Sequence, residues 1–242
     1  MVHNIDALRE RFGHLLDVLC KDYHLGDYID GCCAEDIECN WEELSDAMDN
    51  YGIWTGSGAT KFVIGDEDCD YVIKFCPQGY DNDYYDYCAR EVEVYEEAVR
   101  AGYADKFAWC AKLFDYDFNE YMNIPVYVME WCKCDYDMIS DEVDDWDYTN
   151  YCKSKHIEKS DDAYHEYFSK ARYEKRCSER MFAWANEHWA MTTEQVIQFR
   201  RFMYAMFIND IHPGNWGWCD NRLVLVDYSG YGEDHECRSL DY

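Results

Sequence analysis

Late in the chain the sequence reads Asn209-Asp210-Ile211-His212-Pro213-Gly214-Asn215, and soon afterwards an apolar run, Leu223 to Val226, ends in Asp227. Phosphoryl transfer to a hydroxyl needs a carboxylate near the nucleophile and oxygen ligands for magnesium, and this stretch offers an Asp, an Asn and a second Asp. One acid orients or deprotonates the nucleophile, while the amide oxygen and the second acid bind magnesium. Asp, Gly, Pro and Asn also favour plain turns, so the order and spacing carry the chemistry rather than any one residue. The interval from Asn215 to Asp227 is the length of one tight hairpin.

Upstream residues agree with this chemistry. Gly56-Ser57-Gly58 precedes an apolar segment, and glycines there would let backbone N–H groups approach phosphates. Lys74 stands in Val72-Ile73-Lys74-Phe75, where a lysine is out of place unless paired. Glu91 is the first choice of partner and Glu93 the second, both in a segment of helical period. Met129, Glu130, Trp131 and Cys132 close the last apolar segment of the middle third.

In order these features are a glycine loop, a lysine strand, a glutamate helix, two strands, a linker, helices, an Asp…Asn loop and an Asp strand. Over roughly residues 50 to 232 the chain thereby resembles the protein-kinase-like superfamily. The His-Pro-Gly-Asn wording is most similar to the branch of aminoglycoside phosphotransferases, choline kinases and atypical kinases. The resemblance implies ATP and Mg²⁺ as cofactors. It makes Asp210 catalytic, Asn215 and Asp227 metal ligands, and Lys74 with Glu91 the clamp on the α/β-phosphates. It further implies that Gly56, Ser57, Gly58, Met129, Glu130, Cys132 and His212 line the nucleotide site, with 129–132 beside adenine and His212 near the phosphates. The chain departs from the family at three points: Ile208 replaces a histidine, Lys61 replaces the third glycine of the phosphate loop, and Ser229 replaces the glycine after Asp227-Tyr228. With fifteen residues after Asp227, it resembles the very short kinases of some bacteriophages.

The elements that must position these groups are legible by period. Asn4 caps a helix carrying Ile5, Leu8, Phe12, Leu15, Leu16 and Leu19, and Asn40 with Glu43 suggests a second, short helix to about Asn50. A β-hairpin is expected over 53–75 with a turn at Asp66-Glu67-Asp68, then a helix over 84–102, then strands over 108–118 and 123–131. Residues 134–150 read as an acidic connector, 160–189 as mainly helical, and Thr192 with Gln195 as a capping box for a helix to Phe207. The expected class is α+β: a two-lobed, protein-kinase-like fold with a five-stranded antiparallel N-lobe sheet and a reduced, mainly helical C-lobe. The expected divisions are a helical extension at 1–50, an N-lobe at 51–132 and a C-lobe at 133–242, with a helical insertion at about 153–189 that binds substrate.

Composition narrows the partners. Fifty-one acidic against 22 basic residues give a net charge of −29. Nucleic-acid binding draws on Lys/Arg and counterion release, so no direct nucleic-acid partner is expected. The charge reads as a solvated acidic face, as attraction of a basic protein, or as imitation of a phosphate backbone that occupies a nucleic-acid-binding protein. Eight of the basic residues fall between Lys153 and Arg180. No apolar run is long enough to span a membrane and no signal peptide is evident, which points to an intracellular, cytoplasmic protein (host cytoplasm if phage-encoded). Without C-x-x-C spacing, the 14 cysteines read as reduced thiols packing as small hydrophobes. The expected function is thus an ATP/Mg-dependent atypical serine/threonine kinase acting on a protein. The alternatives are a small-molecule alcohol kinase and an inactive, acidic kinase-fold binding protein.

Overall fold

A computed structural model of the protein describes residues 3–30, 53–57, 61–66, 70–76, 86–120, 122–171 and 177–229. The expected helix at 40–50, Gly58, the Glu67-Asp68 turn and the C-terminal tail lie outside them. The class is α+β, and the chain divides into two units.

The first unit comprises 1–104 and 108–131. Strands β1 (Ile53–Ser57), β2 (Phe62–Asp66), β3 (Tyr71–Phe75), β4 (Cys110–Asn119) and β5 (Met122–Glu130) form an antiparallel sheet in the order β1-β2-β3-β5-β4. Strand alternation gives this sheet two different faces. Ile73, Phe75, Ile124, Val126 and Val128 join Leu8, Phe12, Leu16 and Leu19 of helix α1 (Ile5–Tyr23) in one apolar core, together with Leu25 and Ile29 of α2 (Leu25–Asp30). Asn4 caps α1 through its side chain, which accepts the N–H of Ala7. Gly26 is required where it stands, because a Cβ would strike the carbonyl of Phe118. The N-terminal helices are therefore part of the sheet's core and not a separable extension.

The other sheet face carries Val72, Lys74, Tyr127 and Met129, all buried. Helix α3 (Tyr87–Ala101), capped by Asp86 and closed by Gly102 at φ 80°, presents Cys88, Glu91, Val94 and Ala98 as its buried stripe. Interior strand β5 is thus buried on both faces over Val126–Met129, which matches the continuous apolar run of that half.

The second unit comprises 105–107 and 132–242. The stretch expected as an acidic connector is instead helix α4 (Tyr136–Lys155), capped by Asp135. Its acids hid an amphipathic period: Ile139, Val143, Tyr148 and Cys152 are buried while most of the carboxylates face solvent. Helix α5 (Asp161–Glu166) runs into a π-helical turn (Tyr167–Ala171), and α6 (Cys177–His188) follows. Asp147 joins these pieces: it accepts hydrogen bonds from Arg180 Nε at 3.1 Å and Tyr167 Oη at 3.0 Å, and Arg180 also pairs with Asp144. Burial lowers the Arg180 pKa. One of the eight clustered basic residues is therefore a structural brace.

Helix α7 (Thr193–Ala205) begins with the expected Thr192–Gln195 capping box. A hairpin of β6 (Trp216–Cys219) and β7 (Arg222–Leu225) follows, and Lys133 pairs with Trp218 beside it. Gly217 allows that close approach, since a Cβ would lie 2.9 Å from Cys132 Cβ and Cys134 Sγ.

Because Phe12 is fully buried, Phe12→Ala should cost about 3–5 kcal/mol of stability, read as a lower urea midpoint. Glu10→Ala on the exposed face should leave the midpoint unchanged.

Candidate functional site

Each unit carries its own group of candidate residues. In the first, β3 alternation turns Lys74 away from the Ile73/Phe75 core and toward α3, where Glu91 occupies the buried stripe. The Lys74 ammonium lies 2.9 Å from the Glu91 carboxylate, and both side chains are almost fully buried. Of the two glutamates offered by the sequence, Glu91 is the one that meets Lys74. Glu93 is exposed and pairs with Arg90 at 2.9 Å. The helical stripe explains the choice, since Glu91 follows Cys88 by three residues and precedes Val94 by three.

Sequence reasoning missed a third member. Lys61 is buried and donates to Glu91 at 2.7 Å. The argument that singled out Lys74, a lysine bordering an apolar strand, applies equally to Lys61 beside Phe62-Val63-Ile64. Gly56 and Ser57 lie in β1, opposite Val63 and Phe62. Met129, opposite Val72, has its sulfur 3.8 Å from the Lys74 ammonium. Glu130 ends β5, and its carboxylate accepts the N–H of Trp109 at 3.0 Å, so this side chain braces the start of β4. Cys132, buried, is the first residue past the division between the units.

In the second unit the Asp210 loop folds back on itself. His212 starts a 3₁₀ turn (Pro213–Asn215), and its Nδ1 accepts the N–H of Gly214 at 3.1 Å. Its Nε2 lies 3.6 Å from an Asp210 oxygen. Asn215 is buried; its amide nitrogen donates to the Asp210 carbonyl at 2.9 Å, and its own carbonyl accepts from Val226 N–H at 2.9 Å. That last bond stitches the loop to the end of β7, immediately before Asp227. Ser229 donates its hydroxyl to Asp227 at 3.3 Å. Tyr228 is buried edge-on against Phe107. The structure thus brings Asp210, His212, Asn215 and Asp227 together in one unit, and Lys74 with Glu91 in the other.

The electrostatics of the loop follow from these contacts. The His212 imidazole 3.6 Å away, with help from Asn215, lowers the Asp210 pKa, against opposing burial and the charge of Asp227. The neighbouring Asp210 carboxylate raises the His212 pKa, and Asp227 adds to this. Asp210 is therefore an anion near neutral pH, able to accept a hydrogen bond from a hydroxyl.

A scan against protein-family models finds no match, and no curated protein matches the chain.

The sign of the linkage follows from the two directions. The raised His212 contributes stability fully below its unfolded pKa of about 6.5 and loses it as pH rises through its higher folded value. The lowered Asp210 contributes above its ordinary carboxylate range and loses that contribution as pH falls through its folded value. In a magnesium-free NMR titration, His212 should titrate above the ordinary histidine value and fall back toward it in Asp210→Asn. An unshifted His212 in the wild type would remove the pair.

Proposed function

We propose that the chain is an ATP- and Mg²⁺-dependent phosphotransferase of two-lobed, protein-kinase-like fold, and that it acts as an atypical serine/threonine protein kinase. The observation that carries this is the buried pair of Lys74 and Glu91, strand to helix, at 2.9 Å. A lysine so held keeps its charge and position, as a clamp for nucleotide phosphates must. The Asp210 loop supplies the complementary half of the chemistry.

Asp210, kept anionic, orients the attacking hydroxyl and takes up its proton. Asn215 and Asp227 offer hard oxygen donors, the set that magnesium prefers, and they would hold the ion. Bound there, magnesium would offset negative charge on the transferred phosphoryl group. His212 and the backbone bonds of Asn215 hold the loop in shape, so that Asp210 needs no rearrangement to meet a substrate. With a net charge of −29, the chain would attract a basic protein acceptor by long-range steering.

A small-molecule alcohol is the second acceptor class, favoured by the His-Pro-Gly-Asn wording of the loop. A non-catalytic binding role toward a basic partner draws on the acidic charge and on Ser229, which stands where kinases carry a glycine. Transfer from radiolabelled ATP separates these. Protein kinase activity predicts labelling of a basic protein by wild type and a loss of at least a hundredfold in Asp210→Ala, in line with the contribution of a positioned base. Equal labelling by both sinks the proposal. ADP release that needs an added small alcohol and no protein moves the acceptor to the second class.

A further inference from the structure

The end of β3 and the start of α3 bring together three side chains that the phosphotransfer chemistry does not use. Cys76 Sγ lies 3.6 Å from Cys88 Sγ, and with a carboxylate oxygen of Asp86 the three ligand atoms lie within 4.8 Å of one another. Among the described residues this is the one such cluster. Both cysteines are buried, at 3% and 1% exposure, and Asp86 is partly buried. Two thiolates on a tetrahedral zinc, each about 2.3 Å from the ion, stand roughly 3.8 Å apart. The observed separation needs little adjustment to reach that.

The carboxylate is oriented in advance. The Tyr127 hydroxyl donates to Asp86 Oδ2 at 2.6 Å, and Oδ1 accepts the N–H of Ala89 at 2.9 Å as the cap of α3. Each oxygen keeps a further lone pair, and ligand carboxylates are commonly hydrogen-bonded in this way. The Cys76–Cys88 hydrogen bond lowers the Cys76 pKa, while burial raises that of Cys88, so one thiol is readier than the other to ionise.

We propose that Cys76, Asp86 and Cys88 form a metal site for a thiophilic divalent ion, Zn²⁺, with water at the fourth position. Binding exchanges the two thiol protons for the ion and involves no electron transfer. Soft sulfur ligands select zinc over magnesium. Cys76 follows Lys74 by two residues and Cys88 precedes Glu91 by three, so the ion would tie β3 to α3 beside the Lys74–Glu91 pair. The site stands independently of the phosphotransferase proposal.

The test uses the full chain, reduced and stripped of metal, titrated with Zn²⁺ against a chromophoric competitor and separately with Co²⁺. Wild type should bind one ion more than Cys76→Ser/Cys88→Ser and show a thiolate-to-cobalt charge-transfer band that this variant lacks. Tyr127→Phe should weaken that ion about 10–100-fold. Asp86→Asn should weaken it further, while Asn preserves the helix cap. Equal stoichiometry in wild type and double variant overturns the assignment. If the double variant does not fold, unchanged affinity in both Tyr127→Phe and Asp86→Asn overturns it instead. So does a reduced wild type that takes no ion here but closes a disulfide on mild oxidation, leaving the tryptic peptide 75–90 two hydrogens lighter.

Discussion

A carboxylate removed from water costs several kcal/mol unless its partners replace the lost solvation. Glu91 is 1% exposed, and Lys61 and Lys74 stand within 2.9 Å of it. Much of the first unit serves this one arrangement. Alternation along β3 aims Lys74 at α3, the Asp86 and Gly102 caps fix the length of α3, and the α1 core on the far face keeps the sheet rigid. Taking Glu91 away would leave two buried ammonium groups facing each other, and breaking buried pairs of this kind costs about 3–5 kcal/mol. Replacing all three by apolar residues would often cost less. A buried ion cluster is therefore poor evidence for stability alone and better evidence for a charge the protein needs.

The second unit solves a related problem differently. Asp210 and Asp227 are only partly buried, and order comes from short-range bonds that close the Asp210 loop: Gly214 to His212, Asn215 to the Asp210 carbonyl, and Val226 to Asn215. Asp210, Asn215 and Asp227 are thereby held around a 3₁₀ turn and the end of one hairpin. The packing of Tyr228 on Phe107 anchors the far side of that hairpin. Asp227 and Asp210 repel each other, and His212 offsets part of that repulsion.

What could be read in the sequence was local. Asn4, Thr192 and Gln195 marked helix starts because caps are short-range hydrogen bonds, and Lys74 advertised a partner because an apolar strand cannot hold an unpaired ammonium. Its partner Glu91 stood out by the apolar neighbours Val92, Val94 and Tyr95, of which Val94 is buried and the other two partly so. Lys61 escaped because it was compared with a glycine pattern and not with its apolar neighbours. Helix α4 escaped because its carboxylates, lying on the solvent face, outweighed Ile139 and Val143 in the composition of the segment. Cys76, Asp86 and Cys88 escaped because their meeting depends on β3 and α3 packing together, and spacing along the chain does not encode that. The α+β class was legible, whereas the place of α1 and α2 in the sheet's own core emerged only from tertiary packing.

Calorimetric titration with ATP and Mg²⁺ tests most directly whether the buried lysine–glutamate pair serves a nucleotide. Wild type should bind saturably and only with magnesium present. Lys74→Ala, with an unchanged circular dichroism spectrum, should bind at least tenfold more weakly. Asp227→Ala should lose the dependence on magnesium. No heat in the wild type, or indistinguishable isotherms for wild type and Lys74→Ala, would contradict a nucleotide role for the Lys74–Glu91 pair.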